Sequence, residues 1–365
     1  MKNKYRIIEI CTLLYFVMFY SIPLFSFSTY INIAKVDAWF SPMIGCLLGA
    51  IPFGIYIGII NYKEELNIHQ KNIQLFGKII GTIINIILIL CFCYLLLETI
   101  YFLINFICSE YLYNTPKYFV LFFFVICFIY LFSKNFKILC RSNIIFATLC
   151  MIVFIISTLG LIMQFKLDNW MPFFEHGMQN SIIAAISGIS HIVLPTFVIS
   201  MIPKSRIQNK KKYTKYLWIT YLVGSLSIIL VVSVTISIFG IELSSLYEYP
   251  VFHILKRVLI STVFERLESI LAIQYILFSF VVIMLFIFYI MSGLEITANL
   301  KGCKFKNIIY SLLIIIFSII GTSLFKNNTV AFNFVTYITP YILCFCLFII
   351  PLIIFLKIKF SKKTT

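Results

Sequence analysis

The first group in this sequence that could do chemistry is a carboxylate inside an apolar run, Glu98 in Tyr94-Leu-Leu-Leu-Glu98-Thr99. A charge in hydrocarbon costs several kcal/mol, so such a group faces a cavity or a partner. It could bind a ligand amine or a cation, or carry a proton; it could equally pair with a neighbouring helix. Tyr94 lies one helical turn away on the same face. His191, in Gly188-Ile-Ser190-His191, could touch a ligand or change charge near neutral pH, or be a satisfied structural histidine. Ser279 is a further polar group inside an apolar block. Glu265, Arg266 and Glu268 read as an interfacial ion-pair network, and Gly45, Gly49 and Gly54 as a helix-packing stripe.

The elements that must hold these groups are membrane helices. The chain has 365 residues, 62% of them hydrophobic and 12% charged, against roughly 45–50% and 25% in soluble domains. The apolar residues fall in ten blocks, roughly 7–30, 40–60, 78–106, 118–133, 142–163, 181–201, 216–239, 267–292, 308–324 and 334–355. About 20 apolar residues span a bilayer as helix, and a helix satisfies its own backbone in lipid. The chain is therefore expected to be an all-α integral membrane protein with ten transmembrane helices and a short surface helix within 240–266. The basic residues test this layout. Alternating sides along the ten spans, 22 of the 29 Lys and Arg fall on one side and seven on the other. The richer side is expected to be cytoplasmic, with both termini there. This pattern accounts for the net charge of +16 without a nucleic-acid partner. The 11 cysteines lie mostly within apolar blocks and read as small fillers. No enzyme motif and no metal-ligand spacing is found, so neither an enzymatic activity nor a cofactor is expected.

Ten spans divide into two five-span halves, 1–163 and 181–355, which must be inverted relative to each other because each has an odd span number. Such proteins bind small solutes at the broken first helix of each half. Span one contains Ser21-Ile-Pro23, and span six contains Gly188-Ile-Ser190-His191 followed by Pro195. Proline removes an amide donor and glycine adds freedom, so both are expected break points whose freed backbone groups could hold a ligand. Simple kinks would carry the same residues. The expected ligand contacts are Ser21, Pro23, Tyr94, Glu98, Gly188, Ser190, His191 and Ser279.

Several segments resemble the endospore germination permease family, the GerAB-type B subunits of nutrient germinant receptors within the amino acid–polyamine–organocation superfamily. They are Asp37-Ala38-Trp39; Thr115-Pro116 followed by Lys134 to Arg141; Trp170-Met-Pro172 with Gly177; and Tyr249-Pro250-Val251, Arg257-Val258 and Phe264-Glu265-Arg266-Leu267-Glu268. The resemblance implies a LeuT-type inverted repeat and residence in the spore inner membrane. It implies assembly with A-type and C-type receptor subunits, and recognition of a small, often amino acid-like, nutrient that triggers germination. Two features depart from the family pattern. Phe19, Tyr20, Ser21 and Pro23 occupy the place of a Gly-x-Gly break, and Leu194 stands near a position that is often acidic. An amino acid symporter of the same fold is the alternative, and a membrane acyltransferase, which would want a histidine in an early span, a remote third.

Overall fold

The computed structural model describes residues 4–21, 27–162, 164–171, 178–256, 267–299 and 306–361. Fifteen α-helices run through them: α1 (Ile7–Ser21), α2 (Phe27–Ala34), α3 (Ser41–Asn61), α4 (Ile68–Glu110), α5 (Lys117–Ser133), α6 (Phe136–Ile162), α7 (Met178–Val193), α8 (Thr196–Met201), α9 (Lys210–Leu246), α10 (Pro250–Lys256), α11 (Leu267–Thr297), α12 (Lys306–Thr322), α13 (Asn328–Tyr337), α14 (Thr339–Cys344) and α15 (Ile350–Ser361). No β-strand occurs among the described residues. Each of the ten apolar blocks is mainly helical where it is described, with short non-helical steps such as Leu194-Pro195 and Ile338. Among the described residues, seven continuous or kinked helical stretches are long and apolar enough to cross a bilayer, and three shorter apolar helices cover Ile7–Tyr20, Lys117–Ser133 and Asn307–Thr322. Large apolar side chains also line the outside of the bundle, including Ile79, Leu90, Phe122, Ile145, Leu159 and Leu222. Exposed apolar surface on this scale needs a lipid solvent, so the protein is an all-α integral membrane protein.

The helix boundaries follow local chemistry. Residues 68–76, read from sequence as part of a basic loop, are helical, and the chain reverses at Gly77, whose φ of 80° suits glycine. This hairpin buries His69, Asn72 and Asn85 together: Asn72 Nδ2 donates to Asn85 Oδ1 at 2.9 Å, and Asn85 Nδ2 donates to the His69 carbonyl at 3.0 Å. Lys71 is buried rather than solvated, and its ammonium donates to the Ile59 carbonyl at 2.7 Å. A cation there satisfies and neutralises the C-terminal end of α3. The packing role expected of the α3 glycines holds for two of them. A Cβ on Gly45 would lie 3.1 Å from Ile192, and one on Gly49 would lie 2.8 Å from the Tyr221 hydroxyl, whereas Gly54 faces more open space. The surface helix expected within 240–266 is α10; residues 257–266, with Glu265 and Arg266, lie outside the described residues.

The basic segments meet at one end of the bundle. Tyr5 exchanges backbone hydrogen bonds with Arg206 and Gln208 at 2.8 and 2.9 Å. Buried Glu9 pairs with Arg6 at 3.2 Å and Arg141 at 3.8 Å. Glu64 accepts hydrogen bonds from Lys204 and Lys210 at 2.7 and 3.1 Å. Lys204, and then Lys210, hold the Glu64 carboxyl below its ordinary value of 4.5. Its stabilising contribution is therefore complete above that value and disappears as pH falls through the lowered one. Because the side chain is one-third exposed, the effect is expected to be about 0.5 kcal/mol. Thermal unfolding in detergent from neutral to strongly acidic pH checks this: Glu64→Gln should flatten the acid-side loss slightly, and an unchanged slope would remove the pair from the ledger. At the opposite end, the Trp39 and Trp170 rings stack at 4.7 Å with 2° between planes. Trp170 Nε1 and Asn169 Nδ2 donate to the carbonyls of Ser233 and Ser237 at 3.4 and 2.8 Å, tying this layer to α9.

Candidate functional site

Glu98 sits on α4 with no solvent exposure. Its Oε1 accepts hydrogen bonds from the Tyr94 hydroxyl at 3.0 Å and the Thr339 hydroxyl at 2.8 Å, and those two oxygens are 2.9 Å apart. The two hydroxyl protons thus serve one carboxylate oxygen. Its Oε2 accepts no hydrogen bond from a described group, and a buried acceptor left in that state costs roughly 1–3 kcal/mol or more. Glu98 borders a cavity of about 10 Å3 with Tyr20, Thr99, His191, Leu194 and Thr339. This is room for one water at most. The lining comes from the end of α1, from α4, from the α7–α8 junction and from α14, so both halves of the sequence contribute.

The sixth apolar block is interrupted at one of its two expected points. The sequence offers both Gly188-Ile-Ser190-His191 and Pro195 as break points; in the structure α7 continues through the first to Val193, and the interruption is at Leu194-Pro195. Pro195 has no amide proton to give to the His191 carbonyl four residues back, and past it the Phe197 amide donates to the Leu194 carbonyl at 3.3 Å, while the Val193 carbonyl accepts from the Thr196 hydroxyl at 2.7 Å. Gly188 stays helical because its missing side chain makes room for Tyr30: a Cβ there would overlap the Tyr30 ring and hydroxyl. The first apolar block is helical to Ser21 and again from Phe27. Pro23 lies outside the described residues, as do the side chains of Ser21 and Ser190. Ser279 is buried on α11 and is not among the described residues that line the cavity. The structure therefore brings Glu98 and His191 to one cavity and places Tyr94 behind Glu98. Gly188 belongs to the packing beside it.

Three contributors were missed from sequence. Thr339 lies 241 residues from Glu98, and the Thr339-Pro340 step that ends α13 and starts α14 was the available signal. Tyr101 and Asn105 continue the Tyr94–Glu98 stripe at helical spacing. Tyr101 donates to Asn328 Oδ1 at 2.9 Å, and Asn105 contacts the Tyr249 hydroxyl at 3.4 Å and the Lys117 ammonium at 3.2 Å. One polar face of α4 thus joins α14, α13, the segment before α10 and the start of α5. Aromatic rings close the cavity toward the basic end, where Phe92 lies 4.9 Å from Phe197 and 4.1 Å from Tyr289 between ring centroids. Phe102 and Phe332, 5.3 Å apart, close it toward the other. Beyond these lids lie a cavity of about 650 Å3 at the basic end and one of about 310 Å3 at the opposite end. Among the described residues no three His, Cys, Asp or Glu side chains converge to hold a metal.

A family model described as spore germination protein matches residues 6–330. The chain belongs to the spore germination protein family. A comparison with curated proteins gave no match. In this spore germination protein the match covers Tyr94, Glu98, the Pro195 break and the stacked Trp39–Trp170 pair, and it ends before Thr339. The hydroxyl that completes the carboxylate site thus comes from the part of the chain beyond the matched stretch.

Proposed function

We propose that this spore germination protein is the membrane subunit of a nutrient germinant receptor. In this reading it has ten spans in two inverted five-span halves, 1–163 and 181–355, of LeuT-like architecture. Its basic end and both termini face the cytoplasm, and the membrane is the inner membrane of the spore. A small, amino acid-like nutrient binds between the halves at Glu98 and His191, and A-type and C-type subunits carry the signal onward. The role is binding rather than catalysis. The observation that carries the reading is the convergence of the α1 end, the α7–α8 break, Glu98 and Thr339 on one buried cavity.

That cavity is too small for a nutrient as it stands, which gives the reading its mechanism. Ligand can enter only if the helices that line the cavity move apart, so binding and conformational change are one event. The free energy that favours the open form is the ligand's differential affinity for it. A carboxylate oxygen with no donor among the described residues is the natural partner for a ligand ammonium.

The test pairs two measurements. Deletion of the gene should abolish germination in response to at least one nutrient of a panel, while purified protein in liposomes shows no uptake of that nutrient. Uptake would favour the second reading, an amino acid symporter, for which the larger cavities on both sides of the site speak. Unchanged germination on every nutrient would remove the receptor role.

A further inference from the structure

The cavity at the end opposite the basic loops has about 310 Å3, within the size range of small-molecule sites. Phe27 and Ile31 of α2 and Phe332 of α13 give it apolar walls, and Asn32, Asn333 and Thr329 stand at its exposed side. Glu248 is the charged side chain in it, and no Lys or Arg lines it among the described residues. The carboxylate is held in place. Asn328 Nδ2 donates to Glu248 Oε2 at 2.7 Å, and the Tyr101 hydroxyl fixes the same amide through its Oδ1 at 2.9 Å. Ser244, which also lines the cavity, is 3% exposed, and its hydroxyl makes no hydrogen bond to a described group. A buried hydroxyl in that state is costly unless something else satisfies it.

We infer that this cavity is a second solute site, and that it takes a small ammonium-bearing molecule with a compact apolar body. The ammonium is received by Glu248, the apolar part lies against Phe27, Ile31 and Phe332, and Ser244 meets a polar atom of the solute. An anion is excluded by the fixed carboxylate and the lack of a cation on the wall. The inference rests on the proposed orientation, in which this end faces away from the cytoplasm; the site would then be met before the central one. Tyr101, which orients the Glu248–Asn328 pair, is three residues from Glu98 on the same helix, so occupancy of the outer site bears directly on the helix that carries the inner carboxylate.

The test uses the full chain in bacterial cell membranes with Asn333→Cys, labelled from outside by a membrane-impermeant maleimide. Three probes share one carbon skeleton: L-leucine, isoamylamine and isocaproate. The two amines should slow labelling about tenfold at roughly ten times their half-protecting concentration, and isocaproate should not. Protection should be lost in Glu248→Gln and kept in Glu98→Gln. Protection by isocaproate equal to that by the amines, no protection by either amine, or full protection in Glu248→Gln would overturn the site. Failure of the cysteine to label from outside, with labelling in detergent, would overturn the orientation on which it rests. A germination response insensitive to Glu98→Gln with protection intact would discard the central site and leave this one standing.

Discussion

Spores carrying Glu98→Gln should need about tenfold more nutrient for half-maximal germination, a loss of roughly 1.4 kcal/mol and the lower end of what a hydrogen bond to a charged group contributes. Glutamine keeps the volume and lets Tyr94 and Thr339 go on donating to its carbonyl oxygen. It replaces the oxygen that has no donor among the described residues with an amide NH2, which repels an ammonium. The same substitution removes a carboxyl group from a fully buried position, where burying charge is costly. The thermal stability of the purified protein should therefore stay level or rise while sensitivity to nutrient falls. These opposite signs separate a ligand carboxylate from a structural one, for which both quantities would drop together. Thr339→Val removes one of the two donors and should cost about 1 kcal/mol of stability with a smaller loss of sensitivity. Dose–response curves at matched protein level decide the matter. A wild-type curve for Glu98→Gln would take the carboxylate out of the binding site.

Most of the fold was legible because membrane helices are written in block length and composition, and the ten apolar blocks proved mainly helical where described. Legibility failed where a local signal had two structural uses. Glycine at 188 and proline at 195 both read as places for a helix to open, yet only the proline opens it. A glycine costs a helix about 1 kcal/mol relative to alanine, and here close packing of Tyr30 against its bare backbone compensates. The turn at Gly77 was hidden because 68–76 is too polar to resemble a span, although its polar side chains are the ones buried against α4 and α3. At the site, Glu98 and Tyr94 could be read from one helix because a carboxylate in lipid is conspicuous and its i−4 neighbour shares its face. Thr339 was harder to read: the Thr339-Pro340 step marks a helix junction, but not that its hydroxyl returns to position 98, 241 residues away. Tyr101 and Asn105 were visible in the same spacing as Tyr94 and required only that the stripe be followed outward.

The largest stability effect is expected at Gly188. Tyr30 on α2 is fully buried, and its hydroxyl reaches both glycine slots: the Cβ position of Gly188 on α7 and, at 3.4 Å, that of Gly45 on α3. Three helices therefore close on one phenol, three residues before the cavity-lining His191. Gly188→Ala should cost about 1–3 kcal/mol through overpacking, and Gly188→Leu should prevent accumulation of folded protein. Tyr30→Leu removes the ring atoms that the new methyl would meet, so Gly188→Ala combined with Tyr30→Leu should be less destabilised than the two single changes added together, by about 1–2 kcal/mol. Thermal unfolding of the four detergent-solubilised proteins measures that coupling. Strict additivity would mean that Gly188 is not a packing slot for Tyr30 and would return it to the set of residues that touch the ligand. A positive coupling has a functional corollary. If Gly188 acts by letting α2 seat against α7, then the double variant should recover nutrient sensitivity along with stability, because the α7 helix that carries His191 would regain its place.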